Sequence, residues 1–145
     1  WLMRSPGLRL GSAPARSTLL GFGAGFGGLL AATLYAWLAE ALHAMPPQQA
    51  GAGALLIGTL LILVQVTGEE LLLRGWVQPV LAERLPSWAA ILIVACLFAA
   101  LHMLGGTRAP MSLLNLLLGG LLFGALAART GGLAAPIAAH FAWNW

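Results

Sequence analysis

Residues 51–74 read GAGALLIGTLLILVQVTGEELLLR. Nothing is charged from Gly51 to Gly68; then Glu69 and Glu70 stand side by side, and Arg74 follows. An uncharged apolar run of this length fits a membrane-crossing helix, which needs about 20 such residues. An ionisable side chain at membrane depth is costly to place and marks a functional site by default. The chain has no Asp and only four Glu, so half of its acidic side chains sit at this one spot.

The rest of the composition agrees with a membrane setting. Sixty per cent of the residues are hydrophobic and 8% are charged, with a mean hydropathy of +0.90. A soluble domain carries about 25% charge. The expected fold class is all-α: one polytopic transmembrane helix bundle, whose core is the bilayer-embedded bundle itself. The net charge of +3 comes from arginines, as there is no lysine. They are scattered and flank the apolar runs, a pattern of membrane topology and not of nucleic-acid binding. Cys96, the single cysteine, lies inside an apolar run and is expected to be a small packing residue. Trp1 to Arg16 does not resemble a signal peptide. The limits at Trp1 and Trp145 read as those of a piece of a longer chain.

Residues 1–17 are expected to form a basic juxtamembrane segment, and residues 18–145 the transmembrane core. The first helix is predicted over about Thr18 to His43, with a glycine face (Gly21, Gly25, Gly28; Gly23, Gly27) suited to close helix contact. Met45 to Gln49 reads as a loop. A second helix over about Gly53 to Thr67 meets the Glu pair. Leu71 to Leu85 continues as a helix of interfacial character, bent near Gly75 and Pro79. Ser87 is the expected N-cap of a third helix over about Trp88 to Leu104. Gly105 to Arg108 is a loop. A fourth helix covers about Met111 to Arg129, with Gly120 and Gly124 one turn apart. After the turn Thr130-Gly131-Gly132, a last helix starts near Leu133 with Pro136 in its first turn. With the N-terminus cytoplasmic, six of the seven arginines fall inside and only Arg108 outside. That puts the Glu pair near the cytoplasmic end of the second helix.

Spacing then sorts the polar residues. Glu70 and Arg74 form an i,i+4 pair on one helix face. Glu69 lies about 100° round the helix from Glu70 and points elsewhere, free to act as a general base. A knot in which Arg74 binds both carboxylates fits the same spacing. Phe98 and His102 share a face of the third helix, where a histidine also fits a packing role. His140 and Asn144 repeat the spacing on the last helix. Two adjacent donors there suit a developing oxyanion or interhelical hydrogen bonding. His43 is expected at the interface. If the three helices share a cavity, Glu69 and His102 can activate a water while His140 and Asn144 hold the oxyanion of a peptide carbonyl.

Three ordered motifs carry a family resemblance. Glu69-Glu70-Leu71-Leu72-Leu73-Arg74 matches Glu-Glu-x-x-x-Arg, Phe98 to His102 is similar to Phe-x-x-x-His, and His140 to Asn144 to His-x-x-x-Asn. Together they resemble the CAAX protease and bacteriocin-processing family, also called CPBP or Abi. The resemblance implies an all-helical intramembrane endopeptidase with a conical catalytic cavity. It implies that Glu69 and His102 activate water and that His140 and Asn144 form the oxyanion hole. Glu70, Arg74 and Phe98 would support the site. No cofactor is implied, with zinc held by Glu69, His102 and His140 as the alternative; no His-Glu-x-x-His zinc motif is present. Expected partners are the lipid bilayer and a membrane-associated peptide or protein substrate, of CAAX or bacteriocin type. The lysine-free composition points to a bacterial cytoplasmic membrane, with the N-terminus and the active-site side cytoplasmic.

A non-catalytic role is the competing reading: a transport, proton-relay or immunity protein that keeps the same buried polar residues for structural reasons. A relay needs polar groups reaching both faces, and these cluster. Bis-histidine haem ligation by His102 and His140 would leave the Glu pair unexplained.

Overall fold

The computed structural model describes residues 8–42 and 51–145. These form helices and no strand: α1 (Pro14–Leu38), α2 (Ala52–Leu72), a π-turn (Leu73–Val77), α3 (Gln78–Ala82), α4 (Ser87–Leu104), α5 (Pro110–Thr130) and α6 (Ala134–Asn144). Four runs are long and apolar enough to cross a membrane: α1, the continuous stretch Ala52–Ala82, α4 and α5. Most large apolar side chains of α1 and of α2 as far as Val64, among them Leu19, Leu34, Leu61 and Val64, are exposed. In water such a face would be a liability; against lipid tails it is the expected outer surface of a membrane bundle.

α6 is different. Its 11 residues cover about 16 Å. Seven of those residues are buried, five of them alanines. Small side chains let neighbouring backbones approach, which is how helices gain contact where hydrophobic burial offers no drive. α1 packs along one side of α6. A Cβ on Gly21 would collide with the Ala135 carbonyl, one on Gly25 with the Ala139 carbonyl, and one on Gly28 with the Trp143 ring. Gly23 and Gly27 point to open space, so three of the five glycines of the expected face are contact positions.

The start of α6 is held by the chain before α1. Leu133 N–H donates to Arg9 O at 2.8 Å and Ala134 N–H to Leu10 O at 3.4 Å. These are orphan donors of a helix N-terminus, here satisfied by backbone from another segment. Gly132 permits the approach, since a Cβ there would overlap Arg9 and Leu10. Gly131, at φ 65°, closes α5 in the left-handed conformation that glycine adopts without strain.

Several expected boundaries move. α1 begins at Pro14 and not Thr18, because proline at the first helical positions has no N–H to lose. It stops at Leu38 and not His43; Glu40, at φ 53°, breaks the helical path. His43 and the Met45–Gln49 loop lie outside the described residues. Ser87 is not a cap: it is the first residue of α4 and makes no capping bond. Extended Pro86 precedes it, and its carbonyl receives Ala89 N–H and Ala90 N–H. Cys96 is exposed on α4 and does not fill the packed interior.

The predicted bend near Gly75 and Pro79 is a π-turn. Gln78 N–H reaches back five residues to Leu73 O. A proline crowds the carbonyl four residues before it, which for Pro79 is that of Gly75. The widening lies directly ahead of the proline. The helix then runs on to Ala82, about 20 Å beyond Glu69. The Glu pair is therefore interior to a continuous helical stretch of 31 residues.

Candidate active site

The widened helix delivers two consecutive carboxylates into different surroundings. Glu70 is fully buried and Arg74 is 2% exposed. Arg74 Nη1 donates to Glu70 Oε1 at 3.0 Å, as the i,i+4 spacing predicts. Nη2 donates to Gly120 O on α5 at 3.1 Å. One turn on, Gln78 Nε2 donates to Gly124 O at 3.0 Å. The guanidinium also lies 5.0 Å from the Phe98 ring centre and 5.5 Å from that of Phe123, a desolvated cation–π setting. Burying an ion pair is offset only when its remaining polar groups find partners; α5 supplies one through Gly120 O, while Arg74 Nε and Glu70 Oε2 have none among the described residues.

Glu70 has a second partner that the sequence does not announce. His140 Nδ1 lies 2.8 Å from the same Oε1, across 70 residues of chain. A carboxylate accepts, so Nδ1–H donates and the tautomer is set. The ring stacks on Phe123 at 4.7 Å and meets Phe98 edge-on at 5.5 Å. Its free Nε2 is left facing Glu69, 3.9 Å from Oε2. That separation is too long for a hydrogen bond. Oε2 is buried without a protein partner, while Oε1 accepts from Gln65 Nε2 at 3.1 Å. Arg74 hydrogen-bonds only Glu70 of the two carboxylates, so the two-carboxylate knot is not formed.

His102 comes in from α4. Its Nδ1–H donates to Phe98 O at 2.9 Å, one turn back, which again leaves Nε2 free. The two rings meet at 4.5 Å. Glu69, Phe98 and His102 line one cavity of about 340 Å³, together with Leu72, Leu73 and Thr107. That is room for several waters or for part of a peptide. The cavity borders Gly105 and Thr107, in the loop at the far end of α4 from Arg84. Asn144 ends α6 one turn past His140 and is exposed, with no side-chain hydrogen bond among the described residues. Its neighbour Trp145 ties this end of α6 to α2 through Nε1–H to Thr59 Oγ1 at 2.9 Å.

The structure thus joins Glu70, Arg74, Phe98 and His140 in one packed cluster, sets Glu69 against His140, and puts Glu69 and His102 on one cavity. Gln65 is the partner that sequence reasoning passed over. Its signal was present: a lone amide in the run Leu60 to Val66, four residues before Glu69. For zinc, the donors do not converge. Among the described residues no three of His, Cys, Asp or Glu stand close enough to share a metal ion.

An all-helical membrane protein with a carboxylate and an imidazole lining one cavity, and a second imidazole 3.9 Å from that carboxylate, has the ingredients of an intramembrane hydrolase. Residues 51–145 match the family described as type II CAAX prenyl endopeptidase, Rce1-like. The chain belongs to that family, and so to the membrane endopeptidases. Comparison with curated proteins and with solved structures found no match.

Proposed function

We propose that the chain hydrolyses a peptide bond within the membrane, with Glu69 as the base that activates water. The observation that carries this is the contrast within the Glu pair. Glu70 Oε1 already accepts from both Arg74 and His140. Among the described residues Glu69 has no cation in hydrogen-bonding range, and it borders the cavity that His102 also lines. In this reading the Glu69 carboxylate takes a proton from water as the oxygen attacks the scissile carbonyl carbon. His102 Nε2 positions that water. The oxyanion that forms is held by His140, whose Nε2 donates when the ring is protonated, and by the Asn144 amide turned inward from the end of α6. The proton then passes to the leaving amine as the carbon–nitrogen bond breaks.

The substrate is a membrane-associated peptide or protein; the family description supports a prenylated carboxy-terminal segment as the first class to try. No metal enters this scheme, because the donors do not converge on one point. Stoichiometric zinc, lost together with activity on chelation, would overturn that part.

The test is cleavage of a farnesylated CAAX peptide, and of an unprenylated peptide library, in proteoliposomes. Wild type should cleave, while Glu69→Gln, His102→Ala and His140→Ala should not. Equal cleavage by all four sinks the reading. Orientation needs its own measurement. Arg84 and Arg129 mark one end of α4 and α5 as cytoplasmic, whereas the cavity borders the loop at the other end. A cytoplasm-facing site and this arginine rule therefore exclude each other. Labelling of Thr107→Cys by a membrane-impermeant maleimide, from one side or the other, decides between them.

A further inference from the structure

We infer that Gln65 is a positioning residue for Glu69, holding its carboxylate off His140 so that both stay available to the reaction. The inference rests on the proposed role of Glu69 and adds a residue to it.

Two independent observations point to Gln65. The first is its place. It is an exposed amide on α2, among Leu60, Leu61, Leu63 and Val64, all of them exposed apolar side chains. A polar side chain there gains nothing from lipid and is retained where it has a task. The second is its bond: Nε2–H donates to Glu69 Oε1 at 3.1 Å, its one hydrogen bond among the described residues.

The geometry around Glu69 explains what that bond does. Oε2 and His140 Nε2 stand 3.9 Å apart, in contact range but not hydrogen-bonded. Once the His140 ring is protonated, its Nε2–H and a carboxylate at this range gain by closing to about 2.8 Å. If they closed, the base would be blocked and His140 Nε2 would have no proton left for an oxyanion. Gln65 pulls on the opposite oxygen. His140 cannot move to meet Oε2, because Nδ1 is fixed on Glu70 and the ring is stacked on Phe123. The gap therefore depends on where the Glu69 carboxylate is held, and among the described residues the one side chain bonded to it is Gln65.

The experiment uses the full chain in proteoliposomes and two readouts. The first is cleavage of whichever farnesylated or library peptide wild type cuts fastest. Gln65→Leu removes the donor, Gln65→Glu keeps the size but replaces the donor with an acceptor, and Gln65→Asn restores a shorter donor. Gln65→Leu and Gln65→Glu should lose about 10-fold or more in kcat, as small misplacements of a catalytic group do. KM and thermal midpoint should stay at wild-type values, and Gln65→Asn should recover part of the rate. A purely structural residue would lower the midpoint and would not separate kcat from KM. The second readout is the Nε2 resonance of His140 in histidine-labelled protein, which reports closure on Glu69 whether or not a substrate is known. It should shift in Gln65→Leu. Unchanged kcat where wild type cleaves, or an unmoved Nε2 resonance in every variant, overturns the inference. Absence of cleavage by wild type bears on the protease reading alone.

Discussion

The two sides of α6 are held by opposite kinds of contact. Towards α1 the interface is backbone against backbone: Gly21 on Ala135 and Gly25 on Ala139, with Gly28 under the Trp143 ring. Towards α2 and α5 it is a chain of charge and aromatic rings, from Gly120 O through Arg74, Glu70 and His140. The first has shape and no chemistry. The second has chemistry, but its bonds exist only where the first puts α6. The imidazole of a one-turn-shifted α6 would miss Glu70, so the glycine side acts as the ruler for the polar side.

That division can be broken at its foundation. Gly25→Leu drives a side chain into the Ala139 backbone, which has nowhere to yield, and should abolish folding, read as loss of a monodisperse detergent-solubilised species. Glu69→Gln leaves both interfaces intact and should cost two to four orders of magnitude in cleavage rate, the usual worth of a general base, with the thermal midpoint unchanged. Arg74→Leu cuts the polar side alone. It leaves the Glu70 charge buried and should cost about 3–5 kcal/mol in unfolding free energy. Asn144→Ala is milder, about 10-fold in kcat, if Asn144 is one of several oxyanion donors. Gly23→Leu should do nothing measurable to either property, because that position faces open space. Should Gly23→Leu and Gly25→Leu behave alike, the glycine face is not read in register by α6.

Much of this was legible from spacing within single helices. The i,i+4 rule paired Glu70 with Arg74 and Phe98 with His102, and those contacts are present. The apolar runs marked all four candidate spans. What spacing does not carry is which helices touch. The Glu70–His140 bond crosses 70 residues, and nothing local to either residue encodes it. The Arg9 and Leu10 carbonyls that hold the start of α6 are equally silent, since any residue has a carbonyl to offer. Gln65 was readable but looked ordinary beside a Glu pair. Ser87 shows the reverse error: its residue type suits a cap, yet the proline before it had already taken the capping position.

The π-turn at Leu73–Val77 has a consequence for how this helix can change over time. A turn of that kind amounts to one inserted residue, and removing it would rotate everything downstream by about 100°. Glu69, Glu70 and Arg74 would keep their order and spacing, so the motif would still read correctly. Gln78 would swing away from Gly124, and the brace that α5 gives this helix would be lost. A single-codon deletion could thus leave a recognisable signature on a protein whose two halves no longer mesh, so the wide turn sets the phase between signature and scaffold.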